Sequence, residues 1–272
     1  LIWRHDCRAY RGPPRGPRLG VATPAGGRRP AREARAAPAV TACGTLRGMD
    51  LGLCFDLDGP LGRYAGDFRA FAGLLRGQLM LQACDMNRFY DLLSVELRRD
   101  GPVTLERGLA AVLERLDQRV PADLPALAAE AVEAYAEDVR PLPGARELLE
   151  RLDAAGVPMA LLTNGPEDMQ RAALAALGFG RCFRVVLVSG DRDVAARKPA
   201  PRIFALACTG LQSLPERTVM IGDSPEADVR GALDYGLQAV LVGDAGRAGA
   251  LGVPAVAGMA ELDALLRTRY GV

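Results

Sequence analysis

The sequence is poor in lysine and histidine, and these shortages limit the kinds of site that it can build. Lys198 is the only lysine and His5 the only histidine among 272 residues, while arginine supplies the other positive charges. None of the six cysteines lies in a CxxC pair, so a zinc site made of cysteine and histidine is not expected. We interpret the cysteines as free thiols of a reducing compartment, which predicts a cytoplasmic location.

The sequence also lacks a strong charge of one sign and a long apolar run. Its formal net charge is +1, which gives no reason to expect a nucleic acid or an anionic membrane as partner. No apolar run approaches the roughly 18 residues that a transmembrane helix needs. Hydrophobic residues make up 49% of the chain and charged residues 25%, which is typical of a globular protein with an ample core.

The first 48 residues differ in composition from the rest of the chain. They hold ten arginines against Asp6 and Glu33, are rich in proline and glycine, and show no helical or strand period. We predict a disordered extension over 1–48. Three interpretations stay open: upstream sequence before a natural start at Met49, a basic tail that touches acidic partners, or an organelle transit peptide.

From Met49 onward, apolar strand-like runs alternate with helical patterns. Strands are predicted over 51–56, 157–165, 183–189, 218–223 and 238–244, and helices over 141–155, 166–177, 201–207, 226–233 and 259–269. Alternation of this kind, with continuously apolar strands, predicts an α/β fold with a doubly wound, Rossmann-like parallel sheet.

The segment between the first two predicted strands has a different pattern. Apolar residues recur there at three- and four-residue spacing, which predicts helices beginning near residues 63, 86, 104 and 124 and no strand between residue 64 and about 140. We therefore predict a core domain made of 49–62 and 141–272, with an all-helical cap domain, 63–140, inserted after the first strand.

Polar residues follow the predicted strands where each one ends. Asp56 and Asp58 follow the first strand, Thr163 and Asn164 the second, and Asp223 the fourth, with Lys198 in the loop after the third. The carboxyl ends of parallel strands meet at one edge, where ligands bind. Clustered carboxylates repel one another unless a cation lies among them, and oxygen ligands suit Mg²⁺. A hydroxyl, backbone N–H groups and an ammonium next to the metal ion can bind a phosphate.

Four short stretches in this order carry a family resemblance: FDLDG, LLTNG, RKPAPRIF and IGDSPEADVRGA. They resemble the four motifs of the haloacid dehalogenase-like (HAD) hydrolase superfamily. The predicted helical insertion resembles the C1 cap of its subfamily I, and the resemblance extends from Met49 to the end of the chain. It implies a Mg²⁺-dependent phosphatase that acts on a small phosphorylated metabolite.

The resemblance also implies a role for each matching residue. Asp56 corresponds to the nucleophile that forms an aspartyl-phosphate, and Asp58 to the general acid and base. Thr163, the Asn164 N–H and Lys198 would bind the phosphoryl group. The expected metal ligands are Asp56, Asp223 and the backbone carbonyl of Asp58, with Asp228 holding the metal's water shell.

One position departs from the family pattern and three others are further candidates. The first motif usually has threonine where this chain has Pro60, which lacks an N–H and a hydroxyl, so a stiffer loop is expected there. Arg63, Tyr64 and Arg69, at the predicted entrance of the cap, are candidates for substrate contact, although solvated or packed roles are the simpler interpretation.

The reaction type leaves alternatives open. A phosphomutase of the β-phosphoglucomutase kind would use the same residues, and a non-catalytic protein could keep the fold for binding. A dehalogenase is disfavoured because a halide needs no proton, so the acid at Asp58 would have no task.

Overall fold

A computed structural model describes residues 51–272; the predicted disordered extension over 1–48 lies outside the described residues. The strands are β1 (Gly52–Phe55), β2 (Gly62–Tyr64), β3 (Val139–Pro141), β4 (Met159–Thr163), β5 (Val185–Val188), β6 (Thr218–Gly222), β7 (Gln238–Val242) and β8 (Ala255–Val256). Six of them form one parallel sheet in the order β5-β4-β1-β6-β7-β8.

Over residues 51–272, ten α-helices connect or flank these strands. They are α1 (Phe68–Gln78), α2 (Met86–Leu97), α3 (Leu105–Arg115), α4 (Leu124–Glu137), α5 (Ala145–Ala154), α6 (Glu167–Leu177), α7 (Pro201–Leu211), α8 (Gly231–Tyr235), α9 (Ala245–Leu251) and α10 (Met259–Leu265). A wider, π-helical turn over Pro225–Arg230 leads into α8. Among the helices of the described residues, none has both the length and the apolar character needed to cross a bilayer.

The strand β1 lies between β4 and β6 in the middle of the sheet. All four of its residues are buried, and Cys54 packs in one cluster with Ile203 and Phe204 of α7. Buried, continuously apolar strands are typical of a sheet covered on both faces. The doubly wound, Rossmann-like α/β core is therefore confirmed, and the segments that follow β1, β4 and β6 meet at one edge.

The chain between β2 and β3 forms four helices, α1 to α4, which we call the helical insert. Its one fully buried acid is Glu96 on α2, whose side chain is 1% exposed and pairs with Arg99 and Arg115 at 3.0 and 2.8 Å. The pair with Arg115, the last residue of α3, ties α2 to α3. Asp67, Asp85 and Thr104 each cap the first turn of a helix in the insert through a side-chain oxygen, as is usual at helix N-termini.

The prediction that no strand lies between residue 64 and about 140 is wrong. Tyr64 ends β2, and Val139 and Arg140 belong to β3, which pairs antiparallel to β2 with Gly62 opposite Pro141. Local periodicity cannot reveal three-residue strands whose partners are more than seventy positions apart in the chain. The two strands join the helical insert to the core.

Other differences from the predicted elements are smaller. The helix predicted from residue 141 begins at Ala145, because Gly144 precedes it with φ +80°. The helix α9 and the two-residue strand β8 were not predicted; α9 is rich in glycine and alanine, which carry little periodic signal.

Candidate active site

Lys198 is the centre of a buried ion-pair cluster at the carboxyl edge of the sheet. Its side chain is 1% exposed, and its Nζ lies 2.7 Å from Asp56 Oδ1 and 2.8 Å from Asp228 Oδ1. It also donates a 2.7 Å hydrogen bond to the carbonyl oxygen of Leu162. An ammonium has three protons, so each has one acceptor. The lone lysine of the chain is thus fully engaged beside two of the sequence-predicted acids.

The backbone of Lys198 is fixed by the neighbouring strand end. The Asn164 side chain accepts a hydrogen bond from the Lys198 N–H at 2.8 Å and donates one to its carbonyl oxygen at 2.9 Å. This reciprocal pair joins the end of β4 to the loop before α7. Asn164 was predicted to use its backbone N–H; the structure adds a task for its side chain.

Burial and the charges of neighbouring groups shift the pKa values of Asp56 and Lys198 in opposing directions. Burial raises the pKa of Asp56, the Lys198 charge opposes this and the Asp228 charge adds to it, so that the pKa stays well above its ordinary value. For Lys198, burial by itself would lower the pKa, but the Asp228 and Asp56 carboxylates outweigh it and the pKa is raised. One ammonium is therefore too little positive charge to favour the ionised form of every acid here.

The carboxylates fit a cation. Oxygen atoms of Asp56, Asp223 and Asp228 lie within 4.8 Å of one another. Counted over these three acids and Lys198 of the described residues, full ionisation gives a net charge of −2. The donors are oxygens only, which suits a hard divalent ion. The Asp56 Oδ1 accepts from Lys198 at 2.7 Å and from the Leu57 N–H at 2.8 Å.

Asp228 also orders the turn that carries Asp223. Its side chain is fully buried, and its Oδ2 accepts a 2.9 Å hydrogen bond from the Ser224 N–H. A Cβ on Gly222 would lie 2.3 Å from the Asp228 carboxyl carbon, so a glycine is required at that close approach. The π-helical turn over Pro225–Arg230 brings Asp228 back under the strand end; turns of this kind are frequent at functional sites.

Asp58 and Thr163 are joined by a residue outside the predicted site residues, Gln170. The Gln170 side chain, on α6, accepts a 2.7 Å hydrogen bond from the Thr163 hydroxyl and donates a 3.1 Å hydrogen bond to Asp58 Oδ2. Burial raises the pKa of Asp58, and the hydrogen bond from Gln170 acts in the opposite direction. Thr163 was predicted to hydrogen-bond a phosphoryl group. In the structure its hydroxyl donates a hydrogen bond to Gln170.

A tight turn after β1 carries Asp58 and Pro60. Gly59 has φ +113°, and a Cβ there would lie 2.2 Å from a carboxylate oxygen of Asp223. The hydrogen bonds of this turn come from the N–H groups of Gly59, Leu61 and Gly62. Pro60 has no N–H to donate, and the N–H groups of its neighbours hold the turn.

The helical insert contacts the core beside this edge. The Val103 N–H donates to the Gly190 carbonyl at 3.0 Å, and the Val103 carbonyl accepts from the Glu167 N–H at 2.7 Å. Asp168 accepts from the Leu105 N–H through both carboxylate oxygens, at 3.0 and 2.9 Å. The bonds made by Glu167 and Asp168 connect the start of α3 to the first turn of α6, and Asp168 lies two residues before Gln170.

Aromatic residues of the insert lie near the turn that carries Asp58. Tyr135 on α4 stacks on Tyr64 with ring centroids 4.6 Å apart. Burial raises the pKa of Tyr135, and the Asp58 charge adds to this. Arg63 is exposed on β2, and the guanidinium of Arg69 lies 5.2 Å from the ring of Tyr90. Of the three entrance candidates, Tyr64 is thus stacked on Tyr135, and Arg69 lies over the ring of Tyr90.

The sequence held one signal for Gln170. On α6 the buried positions include Met169, Gln170, Ala173, Leu174 and Leu177, an apolar stripe in which a glutamine stands at a core position. A buried polar residue requires a partner, so this position could have been selected. Tyr135 and the Val103 backbone carried no comparable signal.

A family model described as haloacid dehalogenase-like hydrolase matches residues 52–236. Among curated proteins, the chain is 41% identical over 121 residues to a phosphoserine phosphatase of Thermus thermophilus, covering 43% of this chain and 48% of that protein. It is 31% identical over 194 residues to a phosphoglycolate phosphatase of Caulobacter vibrioides, covering 70% of this chain and 78% of that protein. The first of these matches thus spans about half of the relative's length.

Solved structures share the fold. A HAD phosphatase from Thermococcus onnurineus superposes with a TM-score of 0.58 at 24% identity, over 79% of this chain and 97% of that one. A 2-haloacid dehalogenase from Pseudomonas syringae superposes with a TM-score of 0.60 at 24% identity, over 80% and 98%. Proteins with two different reactions therefore share this architecture, and the site residues have to separate them.

Proposed function

The chain belongs to the haloacid dehalogenase-like hydrolase family, and from this premise we propose that it is a Mg²⁺-dependent phosphatase of small phosphorylated metabolites. The observation that carries the proposal is the cluster at the strand ends. Asp56 is held by Lys198 beside Asp228, and Asp58 follows two residues later on the same turn. Phosphoryl transfer depends mainly on positioning and on neutralising charge, and this set supplies both.

In the proposed reaction Asp56 is the nucleophile. A carboxylate oxygen of Asp56 attacks phosphorus, the bond from phosphorus to the leaving oxygen breaks, and Asp58 gives its proton to that oxygen. Asp58, now ionised, takes a proton from water as the water oxygen attacks phosphorus. The bond to Asp56 then breaks, which releases inorganic phosphate and restores both acids.

The remaining residues would bind and orient. The Lys198 ammonium would neutralise charge on Asp56 and on the phosphoryl group, and the Asn164 N–H would hydrogen-bond a phosphoryl oxygen. Thr163, whose one hydroxyl proton is donated to Gln170, would orient that residue beside the phosphoryl group. Asp56, Asp223 and the Asp58 carbonyl would hold Mg²⁺, with Asp228 holding its water shell, and the ion would supply further positive charge against the phosphoryl oxygens. The oxygen-only donors and their net negative charge support this metal.

The helical insert supports a small substrate. We propose that it acts as a C1-type cap over the core made of 49–62 and 141–272. Its hydrogen bonds to the core at Val103 and Leu105 lie beside the strand-end cluster, and a cap that closes there excludes water and large phosphoproteins. The four described cysteines are free thiols, which supports the proposed cytoplasmic location.

The experiment is release of inorganic phosphate by the full chain from a panel of small phosphomonoesters, with Mg²⁺ or with a chelator. Asp56→Asn and Asp223→Asn should abolish release. Asp234→Asn, which removes an exposed carboxylate on α8, is the matched control and should leave release unchanged. A folded protein with no turnover on any ester, or turnover that survives in Asp56→Asn, would contradict the proposal.

A phosphomutase is the second candidate, since the same residues could return the phosphoryl group to a sugar. The solved structure of a putative beta-phosphoglucomutase from Thermotoga maritima superposes with a TM-score of 0.58 at 22% identity, which shows the fold alone. The two activities are separated by the product. A mutase would convert a sugar monophosphate to its isomer in the presence of a sugar bisphosphate, whereas a phosphatase would accumulate phosphate. A binding protein without catalysis would do neither.

A further inference from the structure

Gln170 is a buried polar side chain that lies between two candidate site residues contributed by different strand ends. It is 2% exposed and stands on the face of α6 that packs against the core. Thr163 ends β4 and Asp58 follows β1, so the Gln170 amide links the two strand ends by hydrogen bonds.

The orientation of this amide follows from its two partners. The Thr163 hydroxyl donates to Gln170 Oε1 at 2.7 Å, so Nε2 is directed at Asp58 Oδ2, at 3.1 Å. Lys198 cannot serve as the donor there, because its three protons go to Asp56, Asp228 and the Leu162 carbonyl. An isolated aspartate on a turn has several rotamers, and a donor fixed by burial selects one of them.

We propose that Gln170 is a positioning residue, which holds the Asp58 carboxyl group in the orientation required for proton transfer to the leaving oxygen. The inference rests on the proposed phosphatase function and goes beyond it, because it assigns a role to a residue outside the four motifs. Gln170 acts through Asp58 and does not itself touch the reacting atoms. A misplaced general acid is costly, since a shift of about 1 Å can lower a rate by roughly 100-fold.

Proton transfer gives this role a distinctive dependence on the leaving group. The leaving group of an alkyl phosphate is a strongly basic alkoxide, which needs a proton from Asp58 in the transition state. The leaving group of p-nitrophenyl phosphate is a stabilised phenolate, which hardly needs a proton. Loss of Gln170 should therefore slow the first substrate far more than the second, whereas general damage to the site would slow both alike.

The test compares kcat/KM of the full chain and of Gln170→Met on an alkyl phosphate and on p-nitrophenyl phosphate. Methionine keeps the length of the side chain and removes the amide. The expected result is a loss of about tenfold or more on the alkyl ester and of less than about threefold on the activated ester. Gln78→Met, at an exposed position of α1, is the matched control and should change neither value.

A double-mutant cycle shows whether the effect passes through Asp58. In an Asp58→Asn background, Gln170→Met should have little further effect on the alkyl ester, because the acid that it positions is gone. Equal losses on both esters, or an undiminished loss in the Asp58→Asn background, would overturn the proposal. If wild type releases no phosphate, the proposed function fails instead, and the two failures are thus distinct.

Folding of the variants is checked by thermal unfolding, with Gln170→Leu and Gln170→Glu as further replacements. A variant with a wild-type-like unfolding transition is used for the kinetic comparison. If none of the three variants folds, Gln170 is a stability residue and the proposal is wrong.

Discussion

Two buried acid clusters, one in the helical insert and one at the strand ends, differ in their charge balance. In the insert, Glu96 is paired with Arg99 and Arg115, whose side chains are 61% and 51% exposed. At the strand ends, Asp56 and Asp228 share one lysine that is 1% exposed, and Asp223 lies beside them. Among the described residues, the first cluster holds one carboxylate and two guanidinium groups that reach solvent, whereas the second holds three carboxyl groups and one buried ammonium.

The difference separates a structural acid from a functional one. An acid with two solvated arginines is satisfied within the protein and leaves nothing for a ligand to complete. A cluster with surplus carboxylate retains affinity for a cation, and the same positive charge serves a phosphoryl group. Burial of an acid is therefore weak support for function unless the count of nearby charges is unbalanced.

Removal of Lys198 should have the largest effect. Lys198→Met leaves Asp56 and Asp228 buried without their ammonium, so in the presence of chelator we expect about 3–5 kcal/mol lower stability to unfolding. kcat/KM should fall by at least about 100-fold with Mg²⁺. Denaturant unfolding and phosphate release measure the two effects.

Lys198→Arg is the matched variant for this prediction. It keeps the charge, but a planar guanidinium does not fit a cavity that encloses the ammonium on all sides, and it should lose activity as well. A Lys198→Met protein with wild-type stability and activity would contradict the role assigned to the cluster.

Removal of the insert's acid should have an intermediate effect on stability and none on chemistry. Glu96→Gln releases two arginines that are already half in water, so we expect about 1–3 kcal/mol lower stability. The Mg²⁺ dependence and kcat/KM should stay as in wild type. Glu114→Gln, at an exposed position of α3, is the control. A fall in kcat/KM of about tenfold in a folded Glu96→Gln protein would show that the two clusters are not separate in function.

Asp168, which joins the insert to the core, should give the smallest effect. Asp168→Asn weakens the bonds to the Leu105 N–H, and we expect about 1 kcal/mol lower stability. KM should rise by a few fold with little change in kcat, because the insert would be held less firmly over the core. Steady-state kinetics on the preferred ester measures this, with Asp193→Asn on the surface as control.

The contribution of Asp168 to stability depends on pH, and the sign of that dependence follows from the burial of its carboxyl group. Burial raises the pKa of Asp168, while the Leu105 and Met169 N–H groups oppose this. The folded state therefore binds more protons than the unfolded state above the ordinary pKa of about 3.9. As pH rises from there through the raised folded pKa, wild-type stability should fall relative to Asp168→Asn. A wild-type advantage that grows with pH over this window would contradict that sign.

Much of the core could be predicted from the sequence because its signals are local. Each central strand is a short apolar run, and the acids stand directly after β1 and β6. The strands β2 and β3 could not be predicted, because each has three residues and their pairing is a long-range contact.

The site was predictable to the extent that side-chain type carries its chemistry. Asp56, Asp228 and Lys198 meet at one point, and Asn164 and Thr163 lie next to it. Their individual roles stay predictions. The pairing of Asp228 with Lys198, the link through Gln170 and the backbone bonds of Val103 depend on geometry across the sheet edge, which no spacing in the sequence encodes.

The central claim is that Asp56 takes the phosphoryl group during turnover. The most direct test is rapid acid quench of the full chain with its preferred phosphomonoester and Mg²⁺, followed by mass-spectrometric identification of the modified residue. The account predicts a phosphoryl group on Asp56, absent in the Asp56→Asn protein. Turnover without any phosphorylated aspartate, or with the phosphoryl group on another residue, would contradict it.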